Sequence, residues 1–360
     1  LRILLLAMAT SGLSAGTRLA PYTLARQSCA ELLDKASAEW PDLPFRVDHD
    51  AASSFARELD VAMVKAFGAS LATDANFTGT ACQFASVNEE AGFILLLHAL
   101  DFGSGWRQEL HRHHGKGAYL TIKPGVEALH AAAAASGGFT TEWLSSCSHA
   151  DVAKAFALEG NPELEDLVDL LLQVIHELGE GCAKEGSLEL FVAQGLKASS
   201  DSEGPAAEMV WALVDTFPST FDDRYILREV QPVCFFKKAQ LVVGELYHRF
   251  RDEDSRFRFP DGDHLTAYVD NVICATLRYK GVVVANAEAT TMIEEGQELP
   301  KGSELEVSFR AAALCGVEAV KGATEDALTS SELGNYLWAG LGKEPEIRKY
   351  QRHATKTVFY

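Results

Sequence analysis

The residues best suited to bond-breaking chemistry cluster between positions 217 and 240, in the stretch FPSTFDDRYILREVQPVCFFKKAQ. Two adjacent carboxylates, Asp222 and Asp223, follow the aromatic Phe221. Two adjacent ammonium groups, Lys237 and Lys238, follow the apolar run VCFF. A carboxylate stabilises positive charge that develops in a transition state, and an ammonium group holds an anion. The same pattern also fits a solvated, acidic helix start, so the stretch alone leaves both readings open.

A second polar cluster is HRHHGKGAY at 111–119, with His98 and Asp101 just upstream. His111, His113 and His114 have ligating side chains but lack the two-histidine, one-glutamate spacing of a zinc hydrolase helix, and adjacent histidines point in different directions. An exposed or phosphate-facing loop is the better reading, with no metal. Gly115-Lys116-Gly117 lacks the spacing of a phosphate-binding loop, and Ser104 sits in G-S-G rather than in a nucleophile elbow.

The chain has 360 residues and a net charge of -19, which disfavours binding to nucleic-acid backbones and anionic membranes. Any nucleotide ligand must therefore be small or meet a local basic pocket. Cys29, Cys82, Cys147, Cys182, Cys234, Cys274 and Cys315 form no C-x-x-C pair, which excludes the familiar zinc spacings, and their odd number argues against a complete disulfide framework. A reducing, cytoplasmic setting is expected. The opening LRILLLAMATSGLSAG nevertheless resembles a targeting segment, too short to span a membrane. Residues 1–20 are therefore read apart from a single domain over 21–360. The sequon at Asn76 matters only for a secreted protein.

These groups must be positioned by helices. LARQSCAELLDKA and SSFARELDVAMVKAF carry apolar residues at three- and four-residue steps, and VNEEAGFILLLHALDF is apolar enough to be buried. Asn161 is expected to cap the helix LEDLVDLLLQVIHEL, with Gly179 ending it. FFKKAQLVVGELYHRF and HLTAYVDNVICATLRYKGVV also read as helices, the second beginning after Asp263. Ser303 with Glu306, and Thr329 with Glu332, fit capping boxes. Few alternating runs appear. The fold class is mainly α, one helical globular domain.

Taken together, FPSTFDD, FFKKAQLVVGELY, LTAYVDNVICATLRYKGVV, ELEVSFRAAALCGVEAV, LGNYLW and the final Phe359-Tyr360 resemble, in order and spacing, the queuosine salvage proteins. The resemblance covers roughly 22–360 and is looser in the N-terminal half, where HALDFGSGW and GKGAY carry it. It implies an all-helical fold similar to the core of base-excision DNA glycosylases. It also implies hydrolysis of queuosine 5′-phosphate to queuine and ribose 5-phosphate, without a cofactor. By that resemblance the family's F-x-D falls on Phe221 and Asp223, with Asp223 as the catalytic carboxylate. Its lysine falls on Lys237, to meet the 5′-phosphate with help from the 111–116 loop or from Arg348, Lys349, Arg352 and His353. Its A-D-Y-R falls on Val269-Asp270-Asn271-Val272, keeping the acid but not the tyrosine or arginine. Its L-N-F becomes Leu100-Asp101-Phe102. The implied site is thus catalytic Asp223, with Phe221, Lys237, Asp270, Asn271, Asp101 and Phe102 binding substrate. The altered segment leaves a second reading open, a non-catalytic binder of queuine or a related nucleotide.

Overall fold

The computed structural model describes residues 18–73, 80, 82–228 and 232–360. Most of the targeting segment and the Asn76 sequon lie outside the described residues. Helices dominate: α1 (Pro21–Glu39), α2 (His49–Glu58), α3 (Val61–Thr73), α4 (Val87–Ala99), α5 (Arg107–His114), α6 (Ala118–Ala134), α7 (Thr141–Ser146), α8 (His149–Ala155) and α9 (Glu165–Gly181). They continue as α10 (Leu188–Ser199), α11 (Pro205–Thr216), α12 (Pro218–Phe221), α13 (Lys237–Phe250), α14 (Asn271–Tyr279), α15 (Ala287–Glu294), α16 (Glu304–Ala323), α17 (Ser330–Asn335) and α18 (Pro345–Lys349). Two short antiparallel pairs join them, β1 (Phe45–Val47) with β4 (Val283–Ala285), and β2 (Arg224–Tyr225) with β3 (Val233–Cys234). The protein is a mainly α, single globular domain.

Two hydrophobic cores lie side by side. One is built by the middle of the chain, with α4, α9, α10, α11 and one face of α13. The other combines the first helices with α14 and α16, so both ends of the sequence contribute to it. Phe45 of β1 stacks on Phe309 of α16 with ring centroids 4.2 Å apart, which ties that N-terminal strand to the long C-terminal helix. Helix α4 is buried on every side, as its uniform apolarity requires.

Several local expectations change. The segment SSFARELDVAMVKAF is broken at Leu59, where α2 ends in an extended residue, and Asp60 then accepts the Met63 N–H at the start of α3. Asn161 does not cap: its amide donates to the carbonyls of Leu158 and Glu159, a 3-10 turn intervenes, and α9 continues past Gly179 to Gly181. Residues 265–269 are not helical. The helix expected after Asp263 starts only at Asn271, and Asp270 is its N-cap. Thr329 and Glu332 form the full capping box, but only half of the Ser303–Glu306 box forms. Glu306 turns inward, to Arg310 and Tyr360.

The chain end wraps back over the body. The residue 299 N–H donates to the Ala354 carbonyl, and Thr355 Oγ1 donates to Leu299. Thr355 crosses directly over Gly105, where a Cβ would lie 2.2 Å from the Thr355 carbonyl oxygen, so the G-S-G turn exists to let the tail pass.

Candidate active site

Where α13 of the first core faces α14 of the second, a deep cavity opens in two parts. The inner part is walled by His98, Tyr119, Glu245, Tyr268 and Trp338. The outer part is wider and lined by Arg107, His111, Lys116, Lys343, Arg348 and Arg352. Asp101, Tyr119, Lys237, Asp270 and Trp338 line both, and so form a neck between an aromatic slot and a basic mouth.

Local sequence explains the neck. Phe236 sits at φ 51°, a left-handed conformation rare for a bulky residue, and its ring packs edge-on to Trp211. That turn starts α13 abruptly, so Lys237, Leu241 and Glu245, four residues apart, share the helix face toward the cavity. Lys237 Nζ donates to Asp101 Oδ2 at 3.1 Å. Burial acts to raise the Asp101 carboxyl, but the Lys237 ammonium, His98 and Lys238 outweigh it and hold the group below the usual carboxylate range.

Asp270 is fixed from two sides. As N-cap of α14 it accepts the backbone N–H groups of Val272 and Ile273 at 2.8 and 3.0 Å on Oδ1. Oδ2 accepts the indole N–H of Trp338 at 2.8 Å. Trp338 lies in a widened π-helical turn, Tyr336–Gly340, a local distortion that recurs at functional sites. Burial raises the Asp270 carboxyl, opposed by Lys237 and the Ile273 N–H.

The mouth is an anion site by charge. Burial and the neighbouring Arg348 lower Arg107, and the same two arginines depress His111 after burial. Arg352 is likewise lowered by burial and by Arg107. These cations destabilise one another and are relieved by a dianion.

Of the seven residues that the resemblance implies for the site, five meet at the cavity: Asp101, Phe102, Lys237, Asp270 and Asn271. Asp223 and Phe221 line neither part. Asp223 is buried one layer behind, its carboxylate bridging both terminal nitrogens of Arg310, with Oδ1 at 3.0 Å. Arg310 also meets Glu306 and packs its guanidinium against the rings of Phe235 and Tyr360. Asp223 thus answers a buried cation, and its carbonyl accepts the Phe235 N–H two residues before Lys237. Phe221 packs against Phe217, and Lys238, which donates to the Ala99 carbonyl, lies 5.7 Å from its ring. Burial drives that second lysine well below its ordinary pKa, so it belongs to the core.

The three histidines expected on a loop lie instead in the last turn of α5, and they separate. His111 turns into the mouth, while His113 meets Glu163 at 2.8 Å. Among the described residues no group of three or more metal-ligating side chains gathers. His353 is buried against Tyr360, and Lys349 pairs with Glu346 on the surface, leaving Arg348 and Arg352 as the tail's cations at the mouth. Glu245 and Trp338 escaped sequence reasoning as site residues. The four-residue spacing from Lys237 could have found Glu245, but Trp338 depends on a π turn that periodicity does not reveal.

The helical fold thus presents one cavity with an aromatic slot, a carboxylate neck and a cationic mouth. The sequence model of a family described as queuosine salvage protein matches residues 82–360, and the chain belongs to that family. It is 28% identical over 353 residues to a queuosine 5′-phosphate N-glycosylase/hydrolase of Sphaerobacter thermophilus, covering 96% of this chain and 99% of that one. A protein of the same name from Dictyostelium discoideum is 31% identical over 159 residues, 43% of this chain and 48% of the relative. One from Nematostella vectensis is 28% identical over 149 residues, 36% and 42% of the two chains.

Proposed function

We propose that this protein hydrolyses the N-glycosidic bond of queuosine 5′-phosphate, releasing queuine and ribose 5-phosphate. The observation that carries the reading is the order of chemistry along the cavity. A nucleotide has a flat base, a sugar and a phosphate in line, and the cavity offers aromatic walls, two carboxylates and a cation cluster in the same line. The names of the relatives, one matched over nearly its whole length, supply the substrate.

In this reading the base enters the slot, the ribose sits at Asp101, Lys237 and Asp270, and the phosphate meets Arg107, His111, Arg348 and Arg352. Breaking the C1′–N bond leaves its electron pair on the base, which takes up a proton, and positive charge builds on the ribose ring. A carboxylate fixed at that ring stabilises the charge until water adds at C1′ and gives up a proton. Asp270 is assigned this role in place of Asp223, because it lies in the neck and three N–H donors hold it there. Pre-placed geometry costs no reorganisation at the moment of reaction. Asp223 becomes a positioning residue, acting through Arg310 and the start of α13. The chemistry calls for no metal or organic cofactor.

Chromatography of products after mixing the purified protein with queuosine 5′-phosphate tests the proposal, with free queuine and ribose 5-phosphate expected. Asn271 and Val272, standing where the resemblance implies tyrosine and arginine, favour the second reading, a non-catalytic binder. Nucleotide recovered bound but intact would select it.

A further inference from the structure

The inner slot contains polar groups that the reaction described above does not use. Both ring nitrogens of His98 are buried without a hydrogen-bond partner in the described chain, and so is the hydroxyl of Tyr268. Glu245 is buried, and no hydrogen bond or ion pair to it is found among the described residues. Unpaired buried polar atoms are costly, and two such residues on one cavity, beside a carboxylate with no partner among the described residues, point to a ligand that engages them. The backbone is shaped for this. A Cβ at position 244 would lie 1.9 Å from the Tyr268 oxygen, so Gly244 admits that hydroxyl beside Glu245. Along α13, Glu245 is eight residues beyond Lys237, about 12 Å further along the axis at the rise of an α-helix. That separation is on the scale of a sugar and a bicyclic ring placed end to end.

We infer that Glu245, with His98 and Tyr268, reads the far edge of the base, and that its carboxylate selects a heterocycle presenting an N–H and an adjacent amino group side by side. A carboxylate is acceptor-only when ionised and has two oxygens, so it matches a paired donor edge of the guanine type and repels an edge that offers a lone pair. Burial pushes the Glu245 carboxyl up to about 7, with Glu90 adding to the shift and Arg249 opposing it, so a bound pair of donors stabilises its charged form. From the other elements, neutral His98, Tyr119 and Tyr268 face it, with the Asp101–Lys237 pair at the neck. This deepens the proposed function and rests on its placement of the base in the slot.

The test is calorimetric titration of the full chain with two free bases, 7-deazaguanine and 7-deazahypoxanthine, above the Glu245 pKa of about 7. They differ only by the amino group, and neither carries the side arm of queuine. The wild type is expected to bind 7-deazaguanine about 10- to 100-fold more tightly, the range for a hydrogen bond to a charged group. Glu245→Gln is expected to bring the two affinities to within about threefold while leaving titration with ribose 5-phosphate unchanged, because the mouth is untouched. Equal affinities in the wild type, discrimination retained in Glu245→Gln, or a preference seen only with queuine itself would overturn the inference. The wild-type comparison decides the matter even if the variant does not fold. Base discrimination without release of queuine from the nucleotide would refute the proposed hydrolysis and leave this inference standing.

Discussion

Trp338 donates its indole N–H to Asp270 Oδ2 at 2.8 Å, from a π-helical turn more than sixty positions further along the chain. The bond fixes the orientation of a carboxylate whose other oxygen is already held by the first turn of α14. Trp338→Phe keeps the aromatic wall and deletes this donor. The expected result is a loss of about 10- to 100-fold in kcat with KM little changed, measured by steady-state queuine release. A rise in KM alone would mean that the indole only walls the slot.

Asp223→Asn tests the buried ion cluster. It weakens the partner of Arg310, which keeps only Glu306, and breaking one side of a buried pair costs on the order of 3–5 kcal/mol. Chemical denaturation should show that loss in Asp223→Asn and a much smaller one in Asp270→Asn. Wild-type stability in Asp223→Asn would contradict the positioning role.

The mouth and the neck should separate kinetically. Arg348→Ala and Arg352→Ala each remove a cation facing the outer cavity, so each should raise KM for queuosine 5′-phosphate by about tenfold, as loss of a charged contact implies. Turnover of the dephosphorylated nucleoside should not change. Lys237→Ala, which breaks the pair with Asp101, should harm both substrates alike. Equal sensitivity of both substrates to the Arg348 change would move the phosphate elsewhere.

Stability should fall in acid because two histidines are buried neutral. Burial lowers His98 to about 4, and burial with the nearby Arg310 and Arg278 lowers His353 to about 3, against 6.5 ordinarily. The unfolded chain binds these protons first, so their stabilising effect is complete above pH 6.5 and declines as the pH drops toward the folded values. The decline is about 1.4 kcal/mol per pH unit for each group. Glu245, raised to about 7, works in the opposite sense and adds stability as pH falls from 7 toward its unfolded value. His353→Gln, at a side chain that lines neither part of the cavity, should flatten the acid slope measured by denaturant titration. An unchanged slope would mean that His353 takes up its proton without unfolding.

The helical architecture and most of the cavity were legible in the sequence, because both follow from periodicity and from local runs. FFKKAQLVVGELY folds as the helix its spacing predicts, and its Lys237 reaches the neck. That Asp223 lies one layer behind the cavity was not legible, for a physical reason. Two carboxylates beside an aromatic residue look alike whether they face a ligand or a buried guanidinium, and Arg310 is 87 positions away. Asp270 was harder to weigh because helical spacing ran through it. The chain is not helical just before it, and the exchange of helix interior for N-cap is what brings the side chain to the cavity. Trp338 required knowledge of a distorted turn, and the polar wall of the inner slot required knowing which atoms end without partners.

The central claim is that the carboxylate at position 270 carries the bond cleavage. Single-turnover release of queuine from queuosine 5′-phosphate by Asp270→Asn, with nucleotide affinity measured in parallel, tests it most directly. The account predicts a rate reduced by roughly a thousandfold, the scale for removing a preorganised charge-stabilising group, with the nucleotide still bound. Release near the wild-type rate in a variant that binds normally would contradict it.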